Sequence, residues 1–250
     1  MHEARAKALL TIASLIELHK SGALGGDIIP EDANPRLDKG SDENYLYFTL
    51  PMELNYQRNS YRLWESSEKT YHDPETMDVF CPESVVEMQL EVLRNKLLQY
   101  KVALQPNKHP EIRARLCHTF FEDFYGSVKQ FFSAHDFSVE KIKMYMLANK
   151  KKFPYLSGAK IMNYWLYVME QYTDAKFIDR EHITIDPDTH VLQASVKLGL
   201  VRSEDITKPN ARQVVSNIWS DLLTGTGIHP IDIHTPLWLW SRGGFIMDRR

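Results

Sequence analysis

The chain has 250 residues, 43% of them apolar and 25% charged, the balance of a soluble globular protein with room for one large domain or two small ones. A net charge of −3 carries no nucleic-acid signal over the whole chain, so any positive surface has to be local. Two cysteines, Cys81 and Cys117, exclude a disulfide framework and a cysteine-ligated cluster, and point to a reducing, cytoplasmic compartment.

Residues 2–20 repeat apolar side chains at helical spacing, with Ala8, Leu9, Ile12, Leu15, Ile16 and Leu18 on one stripe. The apolar run Ala8 to Ile16 is flanked by Glu3 and Glu17, which suits an amphipathic first helix better than a leader peptide. No run approaches the ~20 apolar residues of a membrane span. The stretch 21–44 breaks the pattern with glycine, proline, aspartate and asparagine. It sets a first segment, 1–42, apart from a main domain, 43–250. From 45 to 71 the text is aromatic and apolar and reads as one or two helices broken at Pro51, followed by an irregular link over 72–83. Ser84 can cap a helix running to about Lys101. Helices are expected over Glu111–Tyr125 and Val128–Ser133, and Ser138 can cap another over Val139–Asn149. A helix follows at 159–172. The next has Asp188 as its cap and Gly199 just past its end. Another spans 211–225, and the last has Thr235 as cap, Pro236 at its first position and Gly243 as its stop. No internal repeat is visible, strands are hard to place, and the fold class is all-α.

Two short texts carry chemistry. In FPYLSGAKIMNYW, residues 153–165, a Ser157-Gly158 corner is followed at once by Lys160, in the first turn of the helix it opens. A helix N-terminus disfavours a cation and favours an anion. Either Lys160 leans into water or something negative is expected beside it. The second text, Pro187-Asp188-Thr189-His190-Val191, puts a carboxylate at a later helix start. Backbone N–H groups at such a corner can receive phosphate. Lys150, Lys151 and Lys152, just upstream, supply the local positive charge that the composition lacks.

With these residues the sequence resembles the helix-hairpin-helix DNA glycosylases. That superfamily has a hairpin ending in Gly-x-Lys, here Gly158-Ala159-Lys160, and then an Asp-x-His-Val segment, here Asp188-Thr189-His190-Val191, with Leu198-Gly199 closing the helix. The gap between the motifs and the text HPIDIHTPLWLW at 229–240 are most similar to the archaeal 8-oxoguanine glycosylase branch. Leu156 stands where the family hairpin has its first glycine. The resemblance implies two helical subdomains flanking a cleft. It implies excision of an oxidised purine, with Lys160 as the nucleophile and Asp188 stabilising the sugar cation. Ser157 and Gly158 would join the three lysines in holding DNA, together with Gln57, because LNYQRNSYRLW at 54–64 is similar to an early helix whose glutamine approaches the gap left by an extruded base. A flipped base needs aromatic walls, for which Trp64, Trp165 and Trp238 are candidates. No cofactor is called for. The partner is DNA containing a damaged base, with the protein a monomer.

The residues also admit blander roles. Asp188 suits a plain helix cap, His190 a structural hydrogen bonder and Cys117 a core residue, and Trp238 and Trp240, two apart on a helix, do not face alike. His229, Asp232 and His234 lack a second ligand pair at zinc-like spacing, so no metal is expected. Two other functions stay open. One is a nucleoside N-glycosidic hydrolase of the queuosine-salvage type, which needs the aspartate and gives Lys160 no role. The other is a non-catalytic helical module that binds nucleic acid.

Overall fold

The computed structural model describes residues 2–24 and 29–247. Twelve α-helices and several short 3-10 turns account for all regular structure among these residues, with no strand. The all-α expectation holds. None of the helices among them is long and apolar enough to cross a membrane.

The chain divides into two compact units, one joining Met1–Asp27 to Glu181–Arg250 and the other spanning Ile28–Arg180. This differs from a division at residue 42. The first helix, α1 (His2–Lys20), shares a core with the C-terminal helices: Ala8, Ile12 and Leu15 pack with Val191, Val215, Trp219, Leu237 and Trp240. A stripe of apolar side chains has to be covered by something, and here the cover comes from the far end of the sequence.

In the larger unit, α2 (Asp42–Glu53) is the central helix. Ser41 caps it by accepting from the Asn44 amide at 3.2 Å. Its residues from Asn44 to Glu53 are all buried, so it shows no amphipathic period. A helix enclosed on every side has none to show. Its polar side chains find partners: Asn44 donates to the Tyr172 carbonyl at 2.9 Å, and Thr49 Oγ1 accepts from Trp165 Nε1 at 3.2 Å. Pro51 lies inside this helix rather than at a break. Proline removes one backbone donor, and here it does so in the last turn, two residues before the helix ends of itself. The break is at 54–59, ahead of α3 (Ser60–His72), which Asn59 caps.

The helix expected from Ser84 to Lys101 is two, α4 (Pro82–Glu87) and α5 (Leu90–Gln99), with Met88 and Gln89 extended between them. Both pack against α6 (Lys108–Phe124), and the two extended residues re-aim the chain to allow it. Proline at the first helical position starts α4, leaving Ser84 inside it. α7 (Val128–Ala134) and α8 (Val139–Ala148) follow, capped by Ser127 and Ser138, and α9 (Ala159–Tyr172) closes the unit. Between α2 and α6 lies a fully buried ion pair. Arg113 donates to Glu53 Oε1 at 3.1 Å and to the Val79 and Phe80 carbonyls at 2.8 Å each. Beside it, burial pushes the Cys117 thiol up to about 12, so this cysteine stays an inert part of the core.

In the smaller unit, α10 (Thr189–Lys197), α11 (Ala211–Leu223) and α12 (His234–Arg242) surround Trp219, whose Nε1 donates to Ser195 Oγ at 2.9 Å. α12 begins at His234 rather than with Thr235 as its cap, because the preceding 3-10 turn Pro230–Ile233 runs straight into it.

Candidate active site

In the larger unit the chain runs from α8 through 149–158 into α9. Phe153 and Leu156, both fully buried, anchor this hairpin. Tyr155 between them adopts a left-handed φ of 63°. Leu156, standing in place of a glycine, thus turns inward. The Ser157 amide donates to the Phe153 carbonyl at 3.0 Å and the Gly158 amide to Tyr155 at 2.9 Å. Neither amide faces out, as a phosphate cradle at these two residues would need, and the Ser157 side chain is buried. The donors without a backbone acceptor among the described residues are those of Ala159, Lys160 and Ile161, the first turn of α9. Gly158 is tightly placed: a Cβ there would lie 3.1 Å from the Tyr155 carbonyl oxygen, which would have to give by a small amount.

Lys160 is exposed, with no ion pair or side-chain hydrogen bond among the described residues. Lys150, Lys151 and Lys152 are exposed as well, but they differ. Lys152 Nζ pairs with Asp123 at 2.6 Å, and its carbonyl accepts from Thr119 at 2.9 Å. Lys150 and Lys151 make no such pair among the described residues and stand ahead of the hairpin as two exposed cations.

In the smaller unit, Asp188 caps α10. Its Oδ1 accepts from the His190 amide at 2.9 Å and the Val191 amide at 3.0 Å. This is the local chemistry read from the sequence, and it leaves the second carboxylate oxygen unbonded among the described residues. His190 Nδ1 lies 3.2 Å from Ser241 Oγ, and Ser241 donates to Gln193 Oε1 at 3.3 Å. Trp238 is half-buried, edge-on to His190 with ring centroids 5.9 Å apart, and the Arg242 guanidinium stacks 4.5 Å over its ring. Trp240 turns into the core.

Three expected site residues are disposed otherwise. Trp64 and Trp165 are fully buried in the core of the larger unit, so neither offers a face to solvent. Gln57 is exposed but sits in the loop between α2 and α3, at a left-handed φ of 46°, rather than on a helix. Next to it, the Tyr56 ring meets Tyr155 of the hairpin edge-on at 5.5 Å.

One cluster escaped the sequence altogether. Glu31, on the 3-10 turn Pro30–Asp32, is 2% exposed and accepts a hydrogen bond from the Tyr164 hydroxyl. Desolvation raises its carboxyl above the usual range, while the Tyr164 hydrogen bond works against this. Trp64, whose indole N–H lies beside the carboxyl, lowers it to a smaller extent. Tyr164 follows Lys160 by one helical turn, which could have flagged it. Nothing local marks Glu31.

No protein-family model matches this chain, and a search of the curated proteins finds no match either.

Proposed function

We propose that this protein is a helix-hairpin-helix DNA N-glycosylase and lyase that removes an oxidised purine, 8-oxoguanine first among the candidates. The observation that carries it is Lys160: an exposed amine in the first turn of α9 that, among the described residues, has no partner and lies beside backbone donors with no acceptor. Breaking the N-glycosidic bond builds positive charge on the sugar, and the free oxygen of the Asp188 carboxylate is suited to stabilise it. Once deprotonated, the Lys160 amine would attack C1′ as the base leaves with the bonding electrons and takes up a proton. Ring opening gives a Schiff base, and loss of the C2′ proton then breaks the C3′–O bond and frees the 3′ phosphate. Lys150 and Lys151 would follow the phosphate backbone.

Borohydride trapping on 8-oxoguanine oligonucleotides, single- and double-stranded, tests this reading. A covalent adduct is expected with wild type, and none with Lys160→Gln. Absence of both adduct and base release on either strand form would remove the reading for this lesion. A second reading, nucleoside hydrolysis, is favoured by the hairpin amides of Ser157 and Gly158, which are spent on carbonyls within the hairpin. It predicts cleavage of a free modified nucleoside that depends on Asp188 and not on Lys160.

A further inference from the structure

The lysines of α8 and the hairpin differ in kind. Lys141 pairs with Asp136 at 2.6 Å and Lys152 with Asp123 at 2.6 Å, and each carboxylate holds its lysine above the ordinary range. Lys143, on α8, is half-buried. Desolvation pushes its amine below the ordinary range, because taking a cation out of water favours the neutral form. Its Nζ donates to Asn163 Oδ1 at 3.0 Å, and Asn163 Nδ2 donates to the Ala159 carbonyl at 2.8 Å. Asn163 is 4% exposed. It lies three residues beyond Lys160 and so on the same side of α9. A buried amide thus fastens the Lys143 amine to the first turns of α9, where Lys160 stands. An amide oxygen needs only an N–H, so an amine that loses its proton keeps this hydrogen bond and gains a lone pair. Lysines desolvated in this way are the ones that form imines with carbonyl compounds.

We propose that Lys143 is a second imine-forming amine, which condenses with the aldehyde of a ring-opened abasic deoxyribose. For its substrate this rests on the N-glycosylase and lyase reading. A deoxyribose that has lost its base opens to an aldehyde at C1′. The Lys143 nitrogen bonds to C1′, its two N–H protons pass to the aldehyde oxygen, and that oxygen leaves as water. The imine takes a proton from solvent, and loss of the C2′ proton then breaks the C3′–O bond and frees the 3′ phosphate. An amine poised toward its neutral form gives up a proton more readily than a fully solvated lysine, whose ordinary pKa is about 10.4. Lys143 accordingly serves abasic sites that arrive with the base already lost, and Lys160 those that the protein makes itself.

Two measurements on the full-length protein test this. Brief reductive methylation with formaldehyde and cyanoborohydride at neutral pH, read lysine by lysine by peptide mass spectrometry, needs no DNA. Lys143 is expected to label several-fold faster than Lys150, Lys151 and Lys160. Borohydride trapping on a duplex with a ready-made abasic site then compares wild type, Lys160→Gln, and Lys160→Gln combined with Lys143→Arg. Arginine keeps a donor for Asn163 and cannot be deprotonated to attack an aldehyde, and thermal melts check that each variant folds. Lys160→Gln should keep an adduct, mapped to Lys143, that the double variant loses. Methylation is read on wild type, so it decides the matter even where the double variant melts early. Lys143 labelling no faster than the exposed lysines, or an adduct of Lys160→Gln mapped only to Lys150 or Lys151, overturns the proposal. A wild-type adduct on Lys160 alone, lost in Lys160→Gln, overturns it too and leaves the Lys160 chemistry intact. Fast methylation of Lys143 with no adduct from wild type on either abasic or 8-oxoguanine DNA sinks the lyase reading and keeps Lys143 as an imine-forming amine.

Discussion

Asp188 has a structural role and a proposed chemical one, and substitution can part them. Its Oδ1 caps α10 through two amides. Asp188→Ala should therefore cost roughly 1 kcal/mol of stability, the worth of an N-cap. Asp188→Asn keeps a side-chain oxygen for the same amides and should melt within a degree or two of wild type. Its loss would appear in base release, slowed by about 10²- to 10³-fold if the carboxylate charge stabilises the sugar cation. A catalytically silent Asn variant would reduce Asp188 to a cap. His109 gives a second prediction at this scale. It is fully buried, its Nδ1 accepts from the Leu104 amide at 3.2 Å, and burial, followed by the Arg58 charge, pushes it down to about 4. A histidine whose folded value lies below its unfolded one binds more protons when unfolded across that interval. Its contribution is fully present above about 6.5 and is lost as pH falls toward 4. His109→Gln should show a shallower loss of melting temperature than wild type between pH 6.5 and 4. Parallel curves would exclude His109 as an acid-sensitive point.

At the scale of elements, legibility follows the range of the interaction that sets each boundary. Helices α8, α9 and α10 were readable because Ser138, Gly158, Asp188 and Gly199 mark their ends locally. Gly199 takes a φ of 72° and is followed by the Leu200 amide bonding back to the Ser195 carbonyl. The break between α4 and α5 has no glycine or proline to announce it, since it is imposed by packing on α6. Pro51 misled because a proline near a helix end costs less than one in its middle. The site divides the same way. Lys160 and Asp188 could be read from short motifs, whereas Glu31 meets Tyr164 across 133 residues of sequence, a pairing no local pattern encodes. Helix α1 makes the point testable. Its apolar stripe was legible, but the partner that covers it was not. Ile12 is fully buried and Leu10 is 72% exposed on the same helix. Ile12→Ala should destabilise the protein by about 2–5 kcal/mol, and Leu10→Ala should fall within about 0.5 kcal/mol of wild type. If both substitutions were neutral in chemical denaturation, α1 would not share a core with the C-terminal helices.

For the whole molecule, the proposed function asks a chain of net charge −3 to engage a polyanion. The overall field repels DNA weakly, so binding under that proposal would have to come from cations that carry no internal partner. Lys150 and Lys151 meet that condition, while Lys152 spends its charge on Asp123 at 2.6 Å. Each phosphate contact made by a free cation releases counterions and adds close to one unit to the slope of log affinity against log salt. Measured by fluorescence anisotropy on a duplex over increasing salt, Lys150→Ala with Lys151→Ala should lower that slope by about two. The affinity lost should be the same for damaged and undamaged duplex, because phosphate contacts position without reading sequence. Lys152→Ala should change the slope by much less, since that lysine would have to leave Asp123 to contribute. A Lys152 effect as large as those of its neighbours would mean that the ion pair opens on DNA. A double variant with an unchanged slope would remove this segment from the DNA path and shift weight to the small-nucleoside reading, for which a basic approach to the hairpin has no purpose.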